Sequence, residues 1–187
     1  NYWLHQADIT FDLSTPEREI HKVRSLPWKV SVLDTGIDTN TGGRIARLKD
    51  LLKEDFLLTY GDGVSDVNIS DLIASHQLSG NLATLTAVQP PARFGALNLT
   101  GNKVISFQEK PDGDGAWVNG GFLVLKPEVF DFLKGDESSL EIDALPKIAK
   151  LGKLGVYKHS GFWQPVDTIR DLQRLEEAIR RGVLPWA

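Results

Sequence analysis

Four charged residues stand near the ends of the elements that the sequence pattern outlines: Arg44, Asp62, Lys110 and Asp167. Their types suit the transfer of a phosphoryl or nucleotidyl group. Two carboxylates hold a divalent cation that neutralises phosphate oxygens, and arginine and lysine bind the remaining negative charge. Such a transfer asks little covalent chemistry of the protein, so positioning and charge carry the rate. The sequence has no GxSxG serine elbow, no HExxH zinc motif and no Walker A loop. His76 has no second ligand at metal spacing and reads as structural or exposed.

The element that would place Asp62 is the octapeptide Phe56 to Gly63, FLLTYGDG. A short apolar run closed by a turn reads as a buried, central strand. Asp62 then falls just past its carboxyl end, where open α/β sheets form ligand crevices, and the flanking glycines let a phosphate approach the backbone. Taken alone, the same peptide reads first as an Asp-Gly turn that only ends a strand, since such turns are very common. The loop from Asp34 to Arg44 leads into a helix with Ile45, Leu48, Leu51 and Leu52 on one face and Thr41 as its N-cap. Arg44 in a first turn opposes the helix dipole, which makes sense if an anion sits there with the free N–H groups and the Gly42-Gly43 pair. The alternative is a solvent-facing arginine.

Pro111 ends a strand after Glu109-Lys110 and presents Lys110 at the strand mouth, although taken singly Lys110 reads as a surface lysine. Asn119-Gly120-Gly121-Phe122 puts two glycines inside a good strand, the mark of a bulge or of a close ligand approach. Thr168 with Asp171 forms a capping box, so Asp167 also reads as an acidic residue beside a helix N-terminus. That last helix carries Ile169, Leu172, Leu175 and Ile179 toward the core.

The remaining pattern is mixed. Strands are predicted from Asp8 to Leu13, Trp28 to Asp34, Ala83 to Val88, Phe94 to Leu99, Val104 to Glu109, Ala116 to Leu125 and Leu154 to His159; Ser14 to Leu26 is ambiguous. Helices are predicted from Asp71 to Ser79, with Leu72, Ile73 and Leu78 inward, from Pro127 to Leu133 and from Ile142 to Leu151; Ser160 to Thr168 reads as loop. This gives an α/β fold with a mixed sheet, treated as one domain over residues 1–187.

A net charge of −4 without a basic block argues against nucleic-acid or anionic-membrane partners. The absence of cysteine removes disulfides and thiolate chemistry and fits a cytoplasmic protein. No apolar run approaches the roughly 18 residues of a membrane span. Methionine is absent, including at position 1, so the chain is expected to be the remainder of a longer one.

Eight segments carry a resemblance: DTG at 34–36, TGGR at 41–44, TYGDG at 59–63, RFGAL at 93–97, SFQEKP at 106–111, GDG at 113–115, NGGF at 119–122 and GFWQPVDT at 161–168. In order and spacing they closely resemble the glucose-1-phosphate cytidylyltransferases, a branch of the sugar-phosphate nucleotidyltransferases. The resemblance implies a Rossmann-like, GT-A-like three-layer sandwich, and joining of CTP and α-D-glucose 1-phosphate to CDP-glucose and pyrophosphate with Mg²⁺. It implies Asp62 and Asp167 as metal ligands; Thr39, Arg44 and Gly61 at the nucleotide; Glu109 and Lys110 at the sugar phosphate; and Asn119 and Gly120 at the sugar pocket. Asp62, Asp167 and Lys110 form the catalytic set. It further implies a homo-oligomer and a place in nucleotide-sugar supply for surface polysaccharide such as lipopolysaccharide O-antigen.

The family's first strand with its GGxGTRL loop, and a lysine in a KPKP-like segment, do not occur in these residues. The fold is therefore expected to be N-terminally truncated, with an open sheet edge and little catalysis by these residues alone. Two other functions remain: a non-catalytic sugar-phosphate-binding or assembly module, and a nucleotidyltransferase using UTP or dTTP. If Asp62 and Asp167 share one cation, their carboxylates lie roughly 4–6 Å apart, given metal–oxygen distances of about 2.1 Å.

Overall fold

The structure, a computed structural model, describes residues 7–15, 18–23, 29–90, 96–100, 103–108, 117–184 and 186. The chain divides into two compact units, Asn1–Asp34 and Thr35–Ala187. In the first, β1 (Ala7–Phe11) and β2 (Arg18–Val23) pair antiparallel, with a register shift between Asp8 and Ile9. The strand expected from Trp28 to Asp34 is not formed over 29–34, where Val30 is 70% and Val32 93% exposed; Trp28 lies outside the described residues. Alternation alone does not make a strand without a neighbour to pair with.

The second unit runs α1 (Thr41–Ala46), β3 (Phe56–Thr59), β4 (Gly63–Ser65), α2 (Ile69–Ser79), β5 (Ala83–Val88), β6 (Ala96–Thr100), β7 (Lys103–Gln108), β8 (Val118–Leu125), α3 (Leu145–Lys150), β9 (Leu154–Lys158), β10 (Trp163–Pro165) and α4 (Ile169–Arg180). Four strands make a mixed sheet in the order β3-β8-β5-β9, antiparallel except for the β5–β9 pair. Strands β6 and β7 form a hairpin, and β4 and β10 a two-stranded ribbon.

Helices lie on both faces of the sheet. On one face Leu123, Leu125 and Ala83 meet Ile45, Val129, Phe130, Leu133, Leu140, Leu145 and Ile148 in a continuous core. Each fully buried leucine or isoleucine there contributes about 1.5–3 kcal/mol. On the other face α2 packs against β5, β8 and β9 through Leu72 and His76. Asn68 caps α2 by accepting from the Asp71 N–H, and Gly80, left-handed at φ 63°, ends it.

Several sequence expectations are corrected. The N-cap of α1 is Asn40, and Thr41 is its first residue. The helix stops at Ala46 and continues as turns, leaving Leu51 64% exposed. Strand β3 is an edge of the described sheet rather than central, and its Leu57 is half exposed. Leu78 of α2 is 90% exposed. The segment Pro127–Phe132 is a 3₁₀ turn. Before α3, Leu140–Ala144 forms a π-type turn closed by the Leu145 N–H on the Leu140 carbonyl. Pro146 follows, without an N–H to continue a regular ladder backwards. Of the expected apolar face of α4 only Leu175 is buried; Ile169, Leu172 and Ile179 are 77%, 47% and 52% exposed.

Candidate active site

Asp62 and Asp167 come from distant parts of the chain, and the β4–β10 ribbon brings their backbone segments side by side. Pro165 pairs with Gly63, and one step further the Val166 N–H donates to the Asp62 carbonyl at 2.8 Å. The two aspartates therefore lie on neighbouring backbone at one end of a short ladder, both exposed. Strand β10 falls inside the segment expected to be loop. Its three residues, one of them proline, are too short a run to mark a strand by pattern, and the partner β4 defines them.

Gly61 precedes Asp62 in the turn from β3 to β4. Among the described residues a Cβ built there meets nothing within 4 Å, and its φ is not positive. Neither packing among the described residues nor backbone conformation demands glycine at this position. Tyr60, on the other side of Gly61, is held firmly. Its N–H donates to the Gly121 carbonyl at 3.1 Å, and its hydroxyl donates to Glu141 Oε1 at 2.6 Å. The same hydroxyl accepts from Asn119 Nδ2 at 3.1 Å. Burial and the bond and charge of Glu141 push the tyrosine far above its ordinary value; Asn119 opposes this, and the charge of Asp62 adds slightly to it.

Glu141 gathers more. Its Oε2 accepts from Thr41 Oγ1 at 2.7 Å and Ser139 Oγ at 3.0 Å. Burial raises its pKa, but these hydroxyl bonds with that of Tyr60 and its own backbone N–H outweigh it, so it titrates below the usual carboxylate range. Thr41 and Glu141 thus join the start of α1 to the turn before α3. Sequence reasoning missed Tyr60 and Glu141, although Tyr60 stands in the octapeptide that contains Asp62.

Arg44 donates to Thr35 Oγ1 at 2.7 Å and to the Ile37 carbonyl at 3.1 Å, folding the preceding loop against the helix. Thr39 lies in that loop and is buried, 7% exposed. The Gly42-Gly43 pair serves close packing. A Cβ at Gly43 would stand 2.5 Å from the Asp136 carbonyl oxygen, and one at Gly42 2.8 Å from the Ser138 oxygen. The Gly43 N–H already donates to Ser138 at 3.0 Å. Arg47 closes the same contact with a two-point bond to Asp136 at 3.0 and 2.7 Å.

Asn119 and Gly120 stand at a bulge in β8. Leu123 pairs with Leu85 and Asn119 with Ala87, so Thr86 alone faces Gly120, Gly121 and Phe122. Gly121 has φ 81°, and a Cβ there would lie 2.9 Å from the Tyr60 ring. Gly120 is buried under Val88, and its carbonyl accepts from the Trp163 indole of β10 at 2.8 Å. The bulge therefore links the sheet to the ribbon that carries the aspartates. Glu109 and Lys110 lie outside the described residues, as do Pro111 and residues 113–115.

Two histidines are structural. His76 is fully buried, with Nδ1 2.9 Å from Thr84 Oγ1 and Nε2 3.6 Å from Asp55 Oδ2. Burial lowers its pKa against the pull of Asp55, and Lys126 lowers it further. His159 sets a single nitrogen, Nε2, against Asp66 Oδ1 at 2.9 Å, the Phe162 carbonyl at 3.2 Å and Ser65 Oγ at 3.3 Å. A serine–histidine–carboxylate relay needs both ring nitrogens, and the Ser65 hydroxyl instead donates to Phe162. Among the described residues no three His, Cys, Asp or Glu group to hold a metal.

A mixed sheet with helices on both faces and a carboxylate-bearing ribbon beside it defines an α/β, GT-A-like nucleotidyltransferase fold. The chain belongs to the Nucleotidyl transferase family, which matches residues 14–182. It is 47% identical over 188 residues to the glucose-1-phosphate cytidylyltransferases of Salmonella typhimurium and Salmonella typhi, covering all of this chain and 73% of each relative. Among solved structures, UDP-glucose pyrophosphorylase complexed with UDP-glucose superimposes with a TM-score of 0.60 at 16% identity, over 81% of this chain and 66% of that one.

Proposed function

We propose that this chain is part of an enzyme that transfers the cytidylyl group of CTP to α-D-glucose 1-phosphate. A phosphate oxygen of the sugar phosphate attacks the α-phosphorus in line. The bond from that phosphorus to the oxygen bridging to the β-phosphate breaks, and pyrophosphate leaves. CDP-glucose results. The observation that supports the reading is the backbone bond between Val166 and Asp62, which sets Asp167 one residue beyond the partner of Asp62. Close similarity to enzymes named for this reaction supports it.

Two exposed carboxylates are hard oxygen donors, and they fit Mg²⁺, which keeps water and substrate phosphate in its remaining positions. When bound, the ion would neutralise charge developing on the phosphates. Asp62 and Asp167 would hold it. Gly61 would leave room for the nucleotide, and Thr39 and Arg44 would line its side. Glu109 and Lys110 would bind the sugar phosphate, with Lys110 on its charge, and Asn119 and Gly120 would wall the sugar. The same reading makes the enzyme a cytoplasmic homo-oligomer that supplies nucleotide sugar for surface polysaccharide such as O-antigen, without nucleic-acid or membrane partners. No helix of the described residues is long and apolar enough to cross a membrane.

The test is pyrophosphate release with glucose 1-phosphate and, in turn, CTP, UTP and dTTP, using a polypeptide that joins these residues to the glycine-rich GGxGTRL loop. CTP should be preferred, and the 187 residues alone should turn over little. Preference for UTP or dTTP would replace the nucleotide. No turnover with any of them would favour a binding module.

A further inference from the structure

We propose that Glu141 and Tyr60 are positioning residues for the sugar-phosphate pocket: through the Tyr60 hydroxyl, the Glu141 carboxylate fixes the side-chain amide of Asn119. The inference rests on the cytidylyltransferase reading, which puts Asn119 at the sugar.

The direction of every bond in this relay is forced. The Gly121 N–H can only donate, and it reaches Asn119 Oδ1 at 3.0 Å. The Asn119 amide oxygen is thereby fixed on that side, and its NH₂ faces the Tyr60 oxygen at 3.1 Å. Tyr60 has one proton, and that proton goes to Glu141 Oε1 at 2.6 Å. Only with the proton committed there is the tyrosine oxygen left to accept from Asn119. The hydroxyl bonds of Tyr60, Thr41 and Ser139 favour the ionised form of Glu141 despite partial burial, and an ionised carboxylate only accepts.

Both ends of the relay are anchored. Glu141 sits on the π-type turn, which Ser139 caps by accepting from the Ile142 N–H at 3.1 Å. Asp143 Oδ2 accepts from the Ser139 N–H at 2.8 Å in return. The Tyr60 ring lies under Gly121, whose missing side chain makes room for it. At the other end the relay stops at Asn119, a side chain that begins the bulge instead of filling the core. Placing a carboxylate half out of water costs free energy that an apolar residue would avoid. The gain is a defined amide: its NH₂ has one proton committed to Tyr60 and a second with a fixed direction.

The test compares Tyr60→Phe, Glu141→Leu, which leaves the Tyr60 hydroxyl no acceptor at that position, and the double variant with the wild type, in the polypeptide that also carries the GGxGTRL loop. Phenylalanine keeps the ring beneath Gly121 and removes only the hydroxyl. Calorimetric titration gives the dissociation constants of glucose 1-phosphate and of CTP, and thermal melting reports folding. Each single variant should weaken glucose 1-phosphate on the order of 10-fold, the scale of one hydrogen bond to a charged group. The double variant should be no weaker than either single one, because both cut the same relay. CTP should bind within about threefold of the wild type in all of them, less than the effect of one hydrogen bond. Wild-type binding of glucose 1-phosphate by both single variants overturns the inference alone. So does a double variant whose loss is the product of the two, or an equal loss for both ligands that follows a lowered melting temperature. A wild-type protein that binds neither ligand overturns the cytidylyltransferase reading together with the inference.

Discussion

Replacing Gly61 by alanine should move stability and nucleotide binding in opposite directions. A Cβ at Gly61 meets no atom of the described residues within 4 Å, and its φ is not positive. The folded protein should therefore accept the methyl, while the unfolded chain loses conformational freedom, a gain in stability of about 0.4–1 kcal/mol. For a domain of this size that is a rise in melting temperature of about 1–4 °C. If nucleotide phosphates lie against this backbone, the same methyl occupies their space. CTP affinity should then fall at least about tenfold, or about 1.4 kcal/mol. Gly121→Ala is the contrast. Its φ of 81° and the Tyr60 ring 2.9 Å from the added Cβ should cost about 2 kcal/mol or more in stability. Thermal melting and calorimetric titration with CTP and Mg²⁺ on both variants separate the effects. A Gly61→Ala protein that binds CTP within twofold of the wild type refutes the placement of the nucleotide. One that melts as low as Gly121→Ala refutes the claim of open space.

Two further outcomes follow from the same structure. Gly43→Ala drives a methyl to 2.5 Å from the Asp136 carbonyl oxygen, backbone that moves only by breaking the Gly43–Ser138 and Arg47–Asp136 bonds. Its melting temperature should fall by several degrees, for an overpacking cost of about 1–3 kcal/mol, and an unchanged melt would show that the 136–138 turn adapts freely. Glu141 has a folded pKa below its ordinary 4.5, so the unfolded chain binds its proton first as the pH drops. The stability it contributes is present above the unfolded value and is lost as the pH falls through the folded one. Melting curves from pH 7 to pH 3 should therefore steepen below about 4.5 in the wild type more than in Glu141→Gln, and parallel curves would contradict the assignment.

How far the sequence could be read depended on whether a residue's reason was local. The capping box of Thr168 and Asp171 formed as its spacing predicts, since a cap needs only residues three apart. The α/β class and mixed sheet were legible from the strand and helix pattern, and the Asn119-Gly120-Gly121 bulge from two glycines in a strand. The helix at Thr41 was overextended because Ile45, Leu48, Leu51 and Leu52 fit the period, yet the structure covers Ile45 and leaves Leu51 in water. Strand β10 was missed because three residues, one of them proline, show a strand only beside their partner β4. The bond from Tyr60 to Glu141 joins residues 81 apart, and nothing in either neighbourhood announces the other.

The glycines make the limit concrete. Read as letters, Gly43, Gly61 and Gly121 are alike, and each is open to interpretation as room for a phosphate. In the fold Gly43 is glycine because the Asp136 backbone leaves no space. Gly121 is glycine because its φ is positive and a tyrosine ring lies against it. Among the described residues Gly61 has neither reason, nor has Gly63, where an added Cβ would meet nothing closer than 3.9 Å; both adjoin Asp62. A glycine that the folded chain does not need is the one whose absent side chain a ligand can use. By that elimination the opening beside Asp62, more than the glycine pair at the start of α1, is where phosphate should approach the backbone. On the proposed reading Arg44, already bonded to Thr35 and Ile37, would serve the nucleotide by shaping the loop around Thr39 at least as much as by direct charge.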